Sequence, residues 1–194
     1  MSLAEHVRRI AAEGTLLRQE FFAENEQKLL KAAEIIHCAV VTRQKLLIFG
    51  NGGSAADAQH MAAEFVGRFR WNREPLAAIA LTTDSSAVTA IANDYGFQHV
   101  FGRQIRGLGN PGDIAIGITT SGKSLNVCNG ICEALNNKLV PIVLTGYDDI
   151  SGIEGADILQ IKVPSRETAR IQELHIAAIH TIAELIDYRL GVAD

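Results

Sequence analysis

The sequence has neither an excess of basic charge nor a long apolar run. Its 194 residues carry 18 Lys and Arg against 22 Asp and Glu, for a formal net charge of -4. A general nucleic-acid surface needs a basic face to neutralise phosphates, so this function is excluded. No stretch reaches the roughly 20 apolar residues that span a bilayer, and charges of both signs are mixed from Glu5 onward. We expect a protein that is neither exported nor inserted into a membrane, and a small anionic metabolite remains a compatible ligand.

Cysteine is also scarce. Cys38, Cys128 and Cys132 form an odd set without CxxC spacing, which excludes a disulfide framework and a zinc ribbon. Cys128 and Cys132 lie one helical turn apart and could ligate a metal, but burial as small apolar side chains is the preferred interpretation. We therefore expect a reducing, cytoplasmic location. With 47% apolar residues and no internal repeat, the chain is predicted to form one domain over residues 1–194.

Short apolar runs alternate with helical patterns over most of the chain, and this predicts an α/β fold. The runs are KLLIF, LAAIAL, DIAIGI, LVPIVLT and ILQIKV, at residues 45–49, 76–81, 113–118, 139–145 and 158–163. Repeated βα units predict a parallel sheet with helices on both faces, which is a three-layer sandwich. Ligands of such sheets bind beyond the carboxyl ends of the strands.

Both ends of the chain are predicted to be helical. Residues 3–42 have apolar side chains at helical intervals with an expected break near Glu24 and Asn25, so two N-terminal helices should precede the sheet. A long helix is predicted from a Ser165 cap to about Leu190, and it is apolar on nearly every face over residues 174–186. Such a helix suggests burial against another subunit. We assign residues 1–43 to a helical oligomerisation segment and residues 44–194 to the α/β core.

The segment GITTSGKS, residues 117–124, is built to hold a phosphate. It joins a buried strand to a helix, so backbone N–H groups, hydroxyls and a helix dipole converge on one spot. The segment matches the nucleotide-binding pattern GxxxxGK[ST]. A nucleotide site also needs a metal-binding Asp at the end of a neighbouring strand, yet the next strand ends in Thr145 and Gly146. The nucleotide interpretation is therefore disfavoured, and neither glycine loop fits GxGxxG.

A second glycine loop, residues 50–54, leads into a helix that bears His60 and Glu64. These two residues are four apart, so they share one helix face and could bind a metal ion or transfer protons as a pair. The C-terminal helix adds further polar residues within an apolar stretch: Gln172, Glu173, His175, His180 and Glu184. Helical angles place Glu173 or Glu184 beside His180 more readily than Gln172, which lies about 80° away. Helical geometry leaves open which of them joins the site, and His175 is expected to be structural.

Six motifs together resemble the sedoheptulose-7-phosphate isomerases. They are NGGS, HMAAEFVGR, AND, TTSGKS, LTG and RIQELHIAAIH, which start at residues 51, 60, 92, 119, 144 and 170. That family is a subgroup of the sugar isomerase (SIS) fold, a flavodoxin-like five-stranded parallel sheet flanked by helices. Its members resemble one another in being cytoplasmic homotetramers. The resemblance covers nearly the whole chain from about Leu46.

The resemblance implies a reaction and a set of site residues. The reaction is isomerisation of sedoheptulose 7-phosphate to D-glycero-D-manno-heptose 7-phosphate through an enediol, the first step towards ADP- or GDP-activated heptose for lipopolysaccharide, capsule or another surface glycan. The implied zinc ligands are His60, Glu64, Gln172 and His180. The implied substrate contacts are Asn51, Gly52, Gly53, Glu64, Asn93, Asp94, Thr119, Thr120, Ser121, Ser124 and Gln172. For proton transfer we expect Glu64 to act as the base and His180 as the acid.

A DnaA-binding replication initiation protein resembles several of the same stretches, and it provides the alternative function. That protein lacks the acid and the last histidine of the isomerase site, whereas this chain has Glu64 and His180. The alternative is therefore a non-catalytic SIS-domain protein that binds DnaA. Lys123 departs from the usual isomerase pattern, and it is expected either to contact phosphate or to project into solvent.

Overall fold

The computed structural model describes residues 1–153 and 155–193, and at its centre lies one sheet of five parallel strands. The strands are β1 (Leu46–Gly50), β2 (Ala78–Ala80), β3 (Ile114–Ile118), β4 (Val140–Thr145) and β5 (Leu159–Lys162). Their order across the sheet is β2-β1-β3-β4-β5, and every neighbouring pair is parallel. The predicted parallel α/β sheet is confirmed.

Helices alternate with the strands and cover both faces of the sheet. They are α1 (Leu3–Val41), α2 (Gly53–Val66), α3 (Ser85–Tyr95), α4 (Val100–Leu108), α5 (Leu125–Asn136) and α6 (Thr168–Arg189). A 3₁₀ turn at Phe97–His99 joins α3 to α4. Within the described residues, no helix is both long enough and apolar enough to cross a bilayer.

Strand β1 shows how the sheet divides the core into two layers. Leu46 and Ile48 belong to the apolar cluster that α1, α2 and α6 share, whereas Leu47 and Phe49 belong to the cluster with α4 and α5. All four side chains are fully buried. Successive side chains of a strand point to opposite faces, so a strand buried on both faces is apolar throughout.

The two predicted N-terminal helices are a single helix, so the break near Glu24 and Asn25 is a wrong prediction. Asn25 is 1% exposed. Its Nδ2 donates to the carbonyls of Phe21 at 2.9 Å and Lys162 at 3.0 Å, and its Oδ1 accepts from Lys162 N at 3.3 Å. The polar side chain therefore binds the free edge of β5 instead of ending the helix, and the edge strand is covered.

Two element boundaries also differ from the prediction. Strand β2 is three residues long, because the apolar run from Leu76 pairs with β1 only at Ala78–Ala80. Helix α6 begins three residues after the predicted Ser165 cap, with Glu167 at the N-cap position. Ser165 Oγ accepts a hydrogen bond from Glu167 N at 3.1 Å, so the serine orders the preceding turn and does not cap the helix.

The sheet topology brings the two glycine loops together. The chain runs from β1 to β2 on one side and then returns to β3 on the other side, so β1 and β3 flank the point where the strand order reverses. Gly50 at the end of β1 is in register with Ile118 at the end of β3. Ligands of open α/β sheets bind at this position.

Candidate active site

A cavity of about 270 Å³ lies between the two loops at the carboxyl ends of β1 and β3. Its lining consists mostly of glycines, hydroxyls and amides, without a charged side chain. The lining residues are Asn51, Gly52, Gly53, Ser54, Ile118, Thr119, Thr120, Ser124, Thr168 and Gln172. Most of the predicted substrate contacts are therefore close to one another.

Helices α2 and α5 both begin at this cavity. Gly52 precedes α2 with φ of 55°, a backbone angle that favours glycine, and it supplies no side-chain cap. Ser124 precedes α5, and its side chain makes no cap hydrogen bond either. Its Oγ lies 3.3 Å from Thr119 Oγ1. Uncapped N–H groups and two positive dipole ends favour an anion such as phosphate.

A pair of asparagines ties the two loops together. Asn51 Nδ2 donates to Asn126 Oδ1 at 2.8 Å, and Asn126 Nδ2 donates back to Asn51 Oδ1 at 2.8 Å. Asn126 is 4% exposed and its Oδ1 also accepts from Val127 N at 3.0 Å. The reciprocal amide pair holds the predicted contact Asn51 in one orientation. Asn126 was missed in the sequence because a lone Asn within an apolar helix carries no motif.

The side chain of Gln172 packs directly against Gly53. A Cβ atom at Gly53 would overlap with the Gln172 amide, so only glycine leaves room for this contact. Gln172 thereby crosses from α6 to the start of α2 and closes one side of the cavity.

Further along the same two helices, His60, Glu64 and His180 form a compact group. His60 Nε2 lies 2.8 Å from His180 Nε2 and 3.3 Å from Glu64 Oε1. One ligand atom from each residue lies within 4.8 Å of the others. The Phe69 ring stacks on the His180 ring, with 5.2 Å between the ring centroids. Partial burial lowers the pKa of His180, and the neighbouring His60 lowers it further by a smaller amount. The nearby Glu64 carboxylate opposes both effects.

The carboxylates that compete with Gln172 for a place beside His180 lie elsewhere. Glu173 binds Arg170 at 2.8 Å and Glu184 binds Arg70 at 2.7 Å. Gln172 contacts Gly53. Among the polar residues of α6, His180 is therefore the one that lies within hydrogen-bonding distance of His60.

The structure also places a buried carboxyl on α2 one turn before His60. Asp57 is 8% exposed, and within the described residues its Oδ2 has no hydrogen-bond partner. Burial raises the pKa of this carboxyl to about 6, while His60 opposes the shift. His175 is fully buried and its Nε2 lies 3.2 Å from the Thr145 carbonyl. That position agrees with the expected structural role.

Some predicted residues do not line the cavity within one chain. Asn93 and Asp94 are exposed on α3, where Asn93 Nδ2 donates to Asp94 Oδ1 at 2.8 Å. Ser121 lines a neighbouring pocket with Lys123 and Asp148. Lys123 is 68% exposed and its Nζ lies 3.6 Å from Asp148 Oδ2, so it points away from the cavity between the loops.

Thr168 is a further residue that sequence reasoning missed. It stands at the first position of α6 and lines both the cavity and the neighbouring pocket. Its only signal in the sequence is a hydroxyl four residues before Gln172, which places the two residues on one helix face.

Comparison with known proteins identifies the class of fold and the family. The model of the SIS domain family matches residues 11–146. The chain is 47% identical to the phosphoheptose isomerase of Aquifex aeolicus, over 95% of this chain and 96% of the relative. It is 49% identical to a phosphoheptose isomerase of Neisseria meningitidis, over 96% of this chain and 95% of the relative.

Solved structures agree. A phosphoheptose isomerase from Neisseria gonorrhoeae superposes with a TM-score of 0.90 at 44% identity, covering 96% of this chain and 100% of that chain. A phosphoheptose isomerase from Francisella tularensis superposes with a TM-score of 0.92 at 32% identity, covering 97% of this chain and 100% of that chain. The chain is a SIS-domain protein of the sugar-phosphate isomerase class. Within that class it belongs to the phosphoheptose isomerase family. The alternative of a DnaA-binding protein gains no support from these relatives.

Proposed function

We propose that this protein converts sedoheptulose 7-phosphate to D-glycero-D-manno-heptose 7-phosphate. The observation that carries the proposal is the spacing of two contacts between α2 and α6. Gly53 meets Gln172 at the cavity, and His60 meets His180 further along. Seven or eight helical residues separate these contacts, which corresponds to about 10 to 12 Å.

The length of the substrate fits this spacing. Seven bonds join the phosphorus of an open-chain heptose 7-phosphate to C2, so an extended chain reaches about 9 Å to C2 and about 10 Å to C1. Phosphate in the cavity therefore brings C1 and C2 within contact of the His60 group. The hydroxyls of Thr119, Thr120 and Ser124, with Ser121 beside them, and the N–H groups from Gly52 and Gly53 onward supply the phosphate contacts. This remote binding energy positions the reacting carbons.

A divalent metal ion fits the His60 group. Zinc binds nitrogen and oxygen ligands at about 2.0 to 2.2 Å, which places tetrahedral ligand atoms a little over 3 Å apart. The separations of 2.8 and 3.3 Å from His60 Nε2 are close to that value. His60, Glu64 and His180 would hold the ion. Gln172 is the proposed fourth ligand, and because its amide contacts Gly53 in this structure, its side chain would have to turn towards the His60 group to reach the ion. A zinc ion held there would supply Lewis-acid polarisation of the sugar oxygens.

Proton transfer is assigned to Glu64 and His180. Glu64 removes the proton from C1 of the ketose and returns it to C2, so the same carboxylate serves both half-reactions. His180 protonates the oxygen on C2 as the enediol forms and assists ring opening. When the aldehyde forms, the hydroxyl proton on O1 passes to His180, which restores the proton that His180 gave to O2. Ligation and proton transfer compete at Glu64, because a carboxylate bound to a cation is a weaker base.

The test is incubation with sedoheptulose 7-phosphate, with and without a chelator, with aldose formation followed by NMR. Conversion that stops with chelator and returns with zinc is expected. Glu64→Gln and His180→Gln should each abolish turnover without unfolding the protein. Glu173→Gln is the matched control, because this exposed carboxylate on α6 binds only Arg170 among the described contacts. No conversion by the unaltered protein with added zinc would refute the function, and near-normal rates in either variant would refute the proton-transfer roles.

A homotetramer is the proposed assembly, with residues 1–43 as its oligomerisation segment. Leu3 and Val7, one turn apart on α1, are 87% and 65% exposed, although apolar side chains at helical spacing normally lie against a partner. Helix α3, which carries Asn93 and Asp94, has no buried residue. Light scattering should give about four times the chain mass of 20.9 kDa, and a monomer would contradict the assembly.

The cellular setting follows from the substrate. The three cysteines are free thiols, as expected in the reducing cytoplasm, where we place the protein. The product supplies activated heptose for surface glycans. Loss of heptose from those glycans in a strain that lacks the protein, restored by the gene but not by the Glu64→Gln variant, tests this role.

A further inference from the structure

A buried ion pair connects the segment after α2 with the last turn of α6. Arg73 Nε donates to Asp187 Oδ1 at 2.8 Å, and the two side chains are 3% and 0% exposed. Within the described residues, Asp187 Oδ2 has no hydrogen-bond partner. Burying two charges is costly, so such a pair is weak support for a stabilising role and requires another explanation.

Arg73 also binds the end of α2. Its Nη1 donates to the Phe65 carbonyl at 2.9 Å and its Nη2 donates to the Glu64 carbonyl at 2.7 Å. The last four carbonyls of a helix have no partner within the helix, and a cation is favourable there. The last turn of α2 contains no basic residue of its own. The Phe65 carbonyl also accepts from Leu76 N at 3.0 Å. The rigid guanidinium fork of Arg73 therefore supplies the donor to the Glu64 carbonyl, a second donor to the Phe65 carbonyl, and the charge.

These contacts fix the two helices that bear the His60 group. Glu64 itself contributes one of the bound carbonyls. Asp187 lies seven residues after His180, so it is on nearly the same face of α6 about 10 Å further along. One guanidinium thus links the backbone of Glu64 to the helix of His180, and it does so in a buried setting where water does not compete.

We infer that Arg73 and Asp187 are positioning residues, which hold Glu64 and His180 at the separation that a divalent cation requires. This inference rests on the metal site of the proposed function. It predicts an effect on zinc affinity that is separate from the effect on stability. Outer partners of metal ligands commonly change metal affinity about 10- to 100-fold when they are altered.

The experiment measures zinc affinity of the full-length protein by competition with a chromophoric chelator, alongside its thermal unfolding without metal. Arg73→Lys keeps the charge but cannot reproduce the four hydrogen bonds of the fixed fork, which include one from Nη1 to the Glu74 carbonyl at 3.1 Å. The double variant Arg73→Met with Asp187→Leu removes both charges together, so no buried charge is left alone, and such replacements often retain stability. Both are expected to bind zinc about 10- to 100-fold more weakly.

Arg70→Gln is the matched control. Arg70 joins the same segment to α6 through Glu184 at 2.7 Å, but its side chain is 57% exposed, and exposed pairs contribute little. Zinc affinity should therefore be unchanged in this variant.

Two outcomes would overturn the inference. If the double variant or Arg73→Lys folds and binds zinc as tightly as the unaltered protein, the ion pair is structural only. If the unaltered protein itself does not bind zinc, the metal site fails and the inference fails with it. The inference is supported if the unaltered protein and the Arg70→Gln variant bind zinc equally well and the Arg73 variants bind it more weakly.

Discussion

Replacing Asn126 with alanine should weaken both the fold and the phosphate site. The change removes the two reciprocal amide hydrogen bonds with Asn51, each 2.8 Å long, and the bond from Val127 N at 3.0 Å. Asn126 is 4% exposed, whereas Asn51 is half-buried and can turn towards water.

The magnitude follows from those three bonds. At about 1 kcal/mol net for each, the free energy of unfolding should fall by about 2 to 3 kcal/mol. For a chain of this length that corresponds to a fall in melting temperature of about 4 to 12 °C. Asn51 also loses its fixed orientation at the cavity. Because one hydrogen bond to a charged phosphate contributes about tenfold in affinity, the variant should bind phosphate about tenfold more weakly.

Calorimetry should measure both effects, by thermal scanning and by titration with inorganic phosphate. Asn129→Ala is the matched control, because Asn129 lies one turn further along α5 and makes a single exposed bond to the Gln98 carbonyl at 3.0 Å. Equal, small melting shifts in the two variants, together with unchanged phosphate affinity, would refute the role of the asparagine pair in holding the loops.

Three further predictions concern the buried His175 and two residues of the cavity. Burial lowers the pKa of His175 to about 4 from 6.5, so stability is complete above about pH 6.5 and falls by up to about 3 kcal/mol as the pH drops towards 4. Urea unfolding across that range should show the slope, and His175→Gln should remove it; an unchanged slope would contradict this assignment. Gly53→Ala should displace the Gln172 amide from the cavity wall and weaken substrate binding with little change in melting temperature, and unaltered binding would show that the contact has no function. Ser124→Ala should weaken sugar-phosphate binding by titration, because it removes a hydroxyl from the cavity; equal affinity would mean that the loop holds something else.

The sequence determined the local elements and the chemistry that each one carries. Apolar runs that alternate with helical patterns located all five strands, and helical spacing placed His60 and Glu64 on one face of α2. These features depend on residues within a few positions of one another, so they are visible in a linear pattern. The same pattern misled at Asn25, where a polar residue in a helix suggested a break.

Only the tertiary structure decided which distant groups meet. Asn25 is buried because it binds the backbone of Lys162, 137 residues away. His180 reaches His60 across 120 residues, whereas Glu173 and Glu184 bind arginines instead. No helical angle could decide among these residues, since the choice depends on how α6 lies against α2. That arrangement follows from the packing of both helices on one face of the sheet. The buried Arg73 side chain adds hydrogen bonds to both helices, at Glu64 of α2 and Asp187 of α6.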